Sequence, residues 1–336
     1  MIEPPAERTK GLLSLGSQTI VGASPGLVDA VERARQIAAS TAAGVLIVGG
    51  AGTGKELLAR GIHYAGSPYE PFLAFNCAAV PEHLLAGELF GTHPTFRADA
   101  PPARRGLAEM AGSGTLFVGE VARLPLPLQQ RLAAAIRDRQ VVREGGESPV
   151  RVACRVVVAS SAPTSVAIEA GTLDPALLAV LAPAQVELPP LRSRPGDVEL
   201  LAQYFLHMVA GERGVELRLE ADAVEALESY EWPGNVRELK HVVERAAALV
   251  EGPSVQAEHM VVQHRTARSG LSNGSLPAAA IHIPTDGKPL ARIEGEAVAL
   301  TLGLTRGNQS AAARILGISR PTLARKLREH GIASRP

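Results

Sequence analysis

The chain has 336 residues, 46% of them hydrophobic and 20% charged, with Lys plus Arg balancing Asp plus Glu at 34 each. That length exceeds one typical domain, and an aromatic content of 3% favours cores of Ala, Leu and Val on helices and parallel strands over an all-β sandwich. No apolar run reaches the ~18 residues of a membrane span and no apolar segment follows a basic start, so a cytoplasmic chain without membrane contact is expected.

Two cysteines, Cys77 and Cys154, lie in apolar runs with no Cys or His at metal-ligand spacing. Both read as small buried apolar residues, without a disulfide framework or a metal site. Charge is unevenly placed. Residues 289–336 carry eight cations (Arg292, Arg306, Arg314, Arg320, Arg325, Lys326, Arg328, Arg335) against Glu294, Glu296 and Glu329, a net of +5 that leaves −5 on the remainder. A small basic unit on an acidic body suits a polyanionic partner.

Residues 1–19 contain few apolar side chains and read as a loose lead-in. Ser24 and Pro25 introduce a helix in which Leu27, Val31, Ala34 and Ile37 or Ala38 recur at helical spacing. VLIV (45–48) reads as a buried parallel strand running into a glycine cluster, with a helix at ELLARGIHYAG. Further buried strands are predicted at 72–76, 114–119 and 154–160, with helices at PEHLLAGELF and LPLQQRLAAAIRDR between them. Such alternation predicts a doubly wound parallel sheet.

After LPPLRSRPGDV the pattern turns wholly helical, which predicts a helical lid over 191–264 following an α/β subdomain over 20–190. Residues 265–288, rich in Ser, Gly and Pro, read as a linker. Helical spacing resumes from Leu290, so 289–336 is expected to be a small all-α domain.

Gly49, Gly50, Ala51, Gly52, Thr53, Gly54 and Lys55 match the phosphate-binding loop, with Glu56 where the generic pattern has Ser or Thr. Glycines let backbone N–H groups turn toward phosphate, and Lys55 adds a positive charge at a helix N-terminus. ATP or ADP, with Mg²⁺ as a possible companion, is the expected ligand.

The loop ending GTGKE, FNCAAVPEHLLAGELFG (75–91), GTLFVGEV (114–121), LPPLRSRPGDV (188–198), WPGNVREL (232–239) and GNQSAAARILGISRPTLARKL (307–327) occur in one order. From about Ile20 to the end, the chain thereby resembles the sigma-54-dependent enhancer-binding activators. The resemblance implies a AAA+ ATPase module that remodels sigma-54 polymerase and a Fis-type helix-turn-helix that holds enhancer DNA. It also implies that Asn76 and the lid residue Arg237 belong to the nucleotide site and that Glu120 polarises the attacking water. Glu56 is the family's usual residue after the loop lysine.

Several positions depart from that pattern. The Mg²⁺-positioning Asp before Glu120 is Gly119. The apolar sigma-contacting tip is replaced by Thr95, Phe96, Arg97, Ala98, Asp99 and Ala100, followed by Pro101 and Pro102. The two finger positions that reach a neighbour's ATP are Asp174 and Val180, and the Asn sensor is Ser161. An arginine finger is worth roughly 10³–10⁵ in rate, so turnover near background is expected unless residues such as Asp99, Arg104 or Arg123 substitute. Contact with sigma-54 is not expected.

In the tail, Ser310 is expected to cap one short helix ending at Gly317, and Ser319 a second running to about His330. Leu323 and Leu327 would face the core with Ile315, Leu316 and Ile318. Two short helices with cations on the second fit major-groove recognition of double-stranded DNA. Arg320 and Thr322, with Arg325, are assigned to base readout, and Lys326 and Arg328 to phosphate. A preceding helix is expected over 294–304, and the resemblance to Fis-type units implies that it dimerises.

Three readings follow. The first is a DNA-bound regulator whose AAA+ body assembles as a homo-oligomer, or with related AAA+ regulators, and holds ATP without turnover. The second is a working ATPase activator of sigma-54 polymerase. The third is a subunit that joins or inhibits rings of intact relatives. No sensory domain precedes Ile20, so the regulatory signal is expected to come from elsewhere.

Overall fold

The computed structural model describes residues 11–93, 103–250, 252–260, 290–305 and 308–330. Two compact units divide the chain, residues 1–264 and 265–336. The altered tip at 95–102, the first ten residues and the linker over 265–288 lie outside the described residues.

In the first unit, β1 (Gly44–Val48), β2 (Phe72–Asn76), β3 (Thr115–Gly119), β4 (Arg155–Ser160) and β5 (Gln185–Glu187) form one parallel sheet in the order β5-β1-β4-β3-β2. Side chains alternate between faces. Leu46, Val48, Leu116, Val118, Val156 and Val158 enter one core, whereas Val45, Ile47, Phe117, Val157 and Ala159 enter the other. A sheet covered on both faces has no polar side, which is why its strands read as continuous apolar runs.

Helices α1 (Pro25–Ala39) and α2 (Lys55–Gly66) cover one face through residues such as Leu27, Val31, Leu58 and Ile62. On the other face lie α3 (Glu82–Phe90), α4 (Leu126–Asp138) and α5 (Pro175–Leu181), through Leu85, Leu89, Leu132, Ile136, Leu177 and Leu181. Each fully buried Leu or Ile contributes roughly 1.5–3 kcal/mol. The helical periodicity read from sequence at α1 coincides with its buried stripe of Leu27, Val31, Ala34, Ile37 and Ala38.

The lid follows with α6 (Asp197–Arg213), α7 (Ala221–Glu228) and α8 (Asn235–Leu249), packed around Leu201, Leu206, Trp232, Leu239 and Val243. It is not wholly helical, because Arg218–Leu219 and Ser254–Val255 pair as two short parallel strands.

The lead-in reading fails for its second half. Leu12–Leu15 and Gln18–Val21 form an antiparallel hairpin that drives Leu15 and Ile20 into the core beside α2. The turn requires Gly16, whose φ is +57° and where a Cβ would sit 2.6 Å from the Ala65 amide nitrogen. Four-residue strands with only one or two inward side chains leave too little periodicity to recognise. Strand β5, three residues long, escaped for the same reason.

The second unit contains α9 (Leu290–Leu304), α10 (Gln309–Ile315) and α11 (Arg320–Glu329). Val298, Leu302, Ala312, Ala313, Leu323 and Leu327 form its core, with Leu316 and Ile318 partly buried against them. Two expectations are corrected. Ile315 is 66% exposed rather than in the core, since the small Ala312 and Ala313 let α9 and α11 close over a different face of α10. Ser310 lies inside the first turn of α10 and does not precede it; the Ala312 amide donates to the Asn308 carbonyl.

Candidate nucleotide site and helix-turn-helix surface

Strand register assembles the site. Ser160 pairs with Val48 and Asn76 pairs with Gly119 at the carboxyl ends of adjacent parallel strands. Gly49, Ser161 and Glu120 therefore emerge side by side just beyond the sheet, where open α/β sheets bind ligands.

The loop from Gly49 to Gly54 turns into α2 with Gly52 at φ +79° and Gly54 at φ +103°. Gly54 is required by its backbone alone, since a Cβ there would meet nothing within 4 Å. Gly52 is required also by proximity, because a Cβ would lie 2.2 Å from the Gly234 carbonyl of the lid.

Lid residues hold the loop by its carbonyl groups. Asn235 Nδ2 donates to Ala51 O at 2.9 Å, the Arg237 amide to Gly52 O at 3.3 Å, and Arg194 Nη2 to Thr53 O at 3.3 Å. Trans peptides send the following N–H groups the opposite way, so those of Gly52 and Gly54 point away from the lid bonds. Both glycines line a cavity of about 530 Å³ between α2, the ends of β2 and β3, and α8. That volume and its N–H-rich wall fit the phosphates of a nucleotide.

Lys55 is buried, and its ammonium uses all three protons. It donates to Gly49 O at 2.7 Å, to Gly50 O at 3.1 Å and to Ser161 Oγ at 2.8 Å. Ser161 passes the contact on by donating to Glu120 Oε1 at 2.6 Å, and Glu120 Oε1 lies 3.7 Å from Lys55 Nζ. Burial pushes the Lys55 pKa below the ordinary lysine range, while Glu120 opposes this and Arg237 adds to it. Glu120 has a left-handed backbone, φ 56° and ψ 53°, which costs a non-glycine residue roughly 1–2 kcal/mol. Such strain at a site edge is retained where the surroundings fix the side chain.

Of the other predicted residues, Thr53 is buried and its hydroxyl donates to Gly50 O at 2.8 Å. Glu56 lines the cavity and its Oε1 accepts from Arg60 one turn on. Asn76 and Arg237 line the cavity, and Asn76 Oδ1 also accepts from the Ala78 amide at 3.0 Å. Lys240 and His241, not anticipated from the sequence, line it too. They stand three and four residues after Arg237, the spacing that shares a helix face. Asp197 was also missed. Buried between lid and sheet, it accepts from the Ala23 and Ser24 amides at 2.6 and 3.0 Å and from Ser24 Oγ at 2.8 Å. Ser24 thus spends its hydroxyl on the lid and makes no cap bond to α1.

A divalent cation beside the phosphates does not fit these residues. Gly119 offers no ligand at the strand end, Glu120 and Glu56 each have Oε1 taken, by Ser161 with Lys55 and by Arg60, and the Thr53 hydroxyl is turned to Gly50 O. No group of three or more His, Cys, Asp or Glu among the described residues could hold a metal.

The two finger positions make contacts within this chain. Asp174 is buried as the N-cap of α5, accepting from the Ala176 and Leu177 amides at 2.8 and 3.2 Å and from Gln130 Nε2 at 2.9 Å. Val180 packs against the core beneath β1. Cys77 and Cys154 are buried thiols, their pKa values pushed up by burial to about 12 and about 11.

In the second unit, Ser319 caps α11 by accepting from the Thr322 amide at 3.3 Å, after Gly317 turns at φ +66°. Arg320, Arg325 and Arg328 are exposed along α11 and Thr322 is half-buried. Arg325 pairs with Glu329 one turn on. Lys326 is turned inward, paired with Glu294 of α9, which also has His330 Nε2 3.6 Å away.

Among the described residues no helix is long and apolar enough to cross a membrane. The sigma-54 interaction domain family matches residues 20–187, the AAA+ ATPase lid domain 192–275, and the bacterial regulatory protein, Fis family, 289–330. The regulatory protein AtoC of Escherichia coli K12 is 36% identical over 92% of this chain and 67% of its own length. FlbD, a transcriptional regulatory protein of Caulobacter vibrioides, is 34% identical over 99% of the chain and 75% of its own. Crystal structures of NtrX from Brucella abortus in complex with ATP and with ADP superpose with TM-scores of 0.65 and 0.66 at 29% identity, covering 93% of this chain and 69% and 70% of theirs. A parallel AAA+ sheet with its lid, joined to a Fis-type helix-turn-helix and matched along nearly the whole chain by such regulators, places this protein in the family of DNA-binding, sigma-54-dependent transcriptional regulators.

Proposed function

We propose that this protein is a DNA-bound transcription regulator whose AAA+ module holds ATP or ADP as a structural ligand, turns it over at background rate and does not engage sigma-54. The observation that carries the reading is an intact phosphate cradle, with Lys55 buried at its centre, next to a strand end, Gly119, that supplies no carboxylate. Backbone N–H groups of the loop bind phosphate, the Lys55 ammonium exchanges its bonds to Gly49 O and Gly50 O for phosphate oxygens, and Arg237 approaches from the lid. Ser161 and Lys55 hold Glu120 Oε1, which takes that oxygen away from an attacking water. Across a subunit boundary, Asp174 and Val180 supply no positive charge to the transition state.

DNA contact falls to α11, with Arg320 and Thr322 at its N-terminal end and Arg328 on the phosphate side. The replaced tip at Arg97 and Ala98 supports the absence of sigma-54 binding, since burying an unpaired guanidinium costs several kcal/mol. Steady-state ATP hydrolysis by the full chain with Mg²⁺ tests the reading. Turnover near background, with ATP bound, is expected. A rate on the order of 1 s⁻¹ or faster, abolished by Glu120→Gln, would overturn it.

A further inference from the structure

The Mg²⁺ ion that accompanies nucleotide in phosphate-loop proteins supplies two positive charges beside the β- and γ-phosphates. In this chain the cavity carries charge on a different wall. Arg237, Lys240 and His241 occupy positions i, i+3 and i+4 of α8, all three exposed and all lining the cavity that Lys55 and Gly119 also line. Lys240 pairs with Glu244 at 3.6 Å on its own helix. Each carboxylate that lines the cavity has one oxygen paired with a protein cation, Glu56 Oε1 with Arg60 and Glu120 Oε1 with Lys55.

We propose that this site takes a nucleoside di- or triphosphate without a divalent metal, the lid side chains Arg237, Lys240 and His241 supplying the charge and donors that the metal would otherwise bring. The inference rests on the nucleotide-holding reading above and names the form of ligand that the site selects. Two consequences follow from the geometry. Affinity is independent of Mg²⁺, because Gly119 leaves no carboxylate at the end of β3 to recruit the ion. It depends instead on the lid being closed, because the substitute charges stand on α8 while the phosphate loop stands on the sheet. Bound nucleotide then ties lid to sheet through phosphate, adding to the bonds that Asn235 and Arg237 already make to the loop.

The test is calorimetric titration of the full chain with ADP and with ATP, in Mg²⁺ and in excess EDTA. Wild-type affinities in the two buffers are expected to agree within about threefold. In EDTA, the double substitution Lys240→Ala, His241→Ala should weaken binding about tenfold, equivalent to ~1.4 kcal/mol. Removing a cation elsewhere on α8, Arg245→Ala, should leave it unchanged. Gly119→Asp restores a carboxylate where a Cβ meets only the Phe117 ring edge closer than 3.4 Å, and should make affinity rise with Mg²⁺. Loss of wild-type binding in EDTA, or a double variant equal to wild type, would overturn the inference while leaving nucleotide binding intact. Absence of binding in both buffers, with Lys55→Ala indistinguishable from wild type, would overturn the nucleotide-holding reading itself and this inference with it. All three lid positions are exposed, and circular dichroism of each variant confirms that the fold persists.

Discussion

Ser161 stands as a bridge to Glu120, donating its hydroxyl hydrogen to Oε1 at 2.6 Å while accepting from the Lys55 ammonium at 2.8 Å. Because Glu120 Oε1 and Lys55 Nζ are 3.7 Å apart, the hydroxyl turns a loose ion pair into a connected network. Ser161→Ala removes both bonds but leaves the ion pair. Glu120 keeps partial access to the cavity, so the expected loss is about 1 kcal/mol. Urea unfolding reads it as a lowered midpoint at unchanged slope; an unchanged midpoint would show that the bridge contributes nothing.

Asp174 belongs to its own helix. Its carboxylate satisfies two amides at the start of α5 and one Gln130 donor, so Asp174→Ala should destabilise the first unit by about 1–2 kcal/mol. Asp174→Asn, which retains a side-chain acceptor, should lose less. Asp174→Arg should fail to generate turnover and should lower stability as much as alanine does. A stable, hydrolytically competent Asp174→Arg variant would contradict this account.

His63 gives the fold a defined acid sensitivity. The ring is buried, its Nδ1 lies 2.9 Å from Thr115 Oγ1, and Tyr64 and Phe72 flank it at 4.9 and 5.4 Å. Burial lowers its pKa from the ordinary 6.5, the Glu70 backbone opposing and the nearby Arg155 and Arg60 assisting. Below pH 6.5 the unfolded state therefore takes up a proton more readily than the folded one. Stability should rise with pH toward that value and level off above it, with a slope of at most ~1.4 kcal/mol per pH unit from this group. Thermal melts from pH 5 to 8 should show the dependence in wild type and a weaker one in His63→Gln.

On the helix-turn-helix, Arg320→Ala should cost about 1–3 kcal/mol on the preferred duplex and relax specificity. Arg328→Ala should weaken all sequences alike and reduce the salt slope by about one. Lys326 is paired with Glu294 between α11 and α9, so Lys326→Ala should act mainly on the stability of the unit. Filter binding across a salt series separates the three. A Lys326 variant with a reduced salt slope and wild-type stability would return that residue to the phosphate contacts.

The nucleotide cradle was legible in the residues because its chemistry is local. Glycines at 52 and 54 set positive φ, Lys55 follows within the same turn, and an apolar run precedes them; each constraint acts between neighbours in the chain. The four longer strands were legible for a related reason, since a sheet buried on both faces writes itself as uninterrupted apolar runs. The departures at Gly119, Asp174, Val180 and Ser161 were visible only against the family pattern.

The sequence by itself thus determined the class of fold, the phosphate loop and the position of the DNA-binding tail. Only the tertiary structure decided where the remaining polar groups are spent. Asp197 caps the entry to α1 from 173 residues away, Asn235 orients the phosphate loop from 184 away, and Glu294 turns Lys326 inward from 32 away. The hairpin at 12–21 and the exposure of Ile315 belong to the same set. A hydrogen bond or a buried methyl group depends on which surfaces meet, and chain separation carries no record of that. Periodicity shows that a side chain has an apolar or a polar face to satisfy, but its partner is chosen only when sheet, lid and helices close on one another.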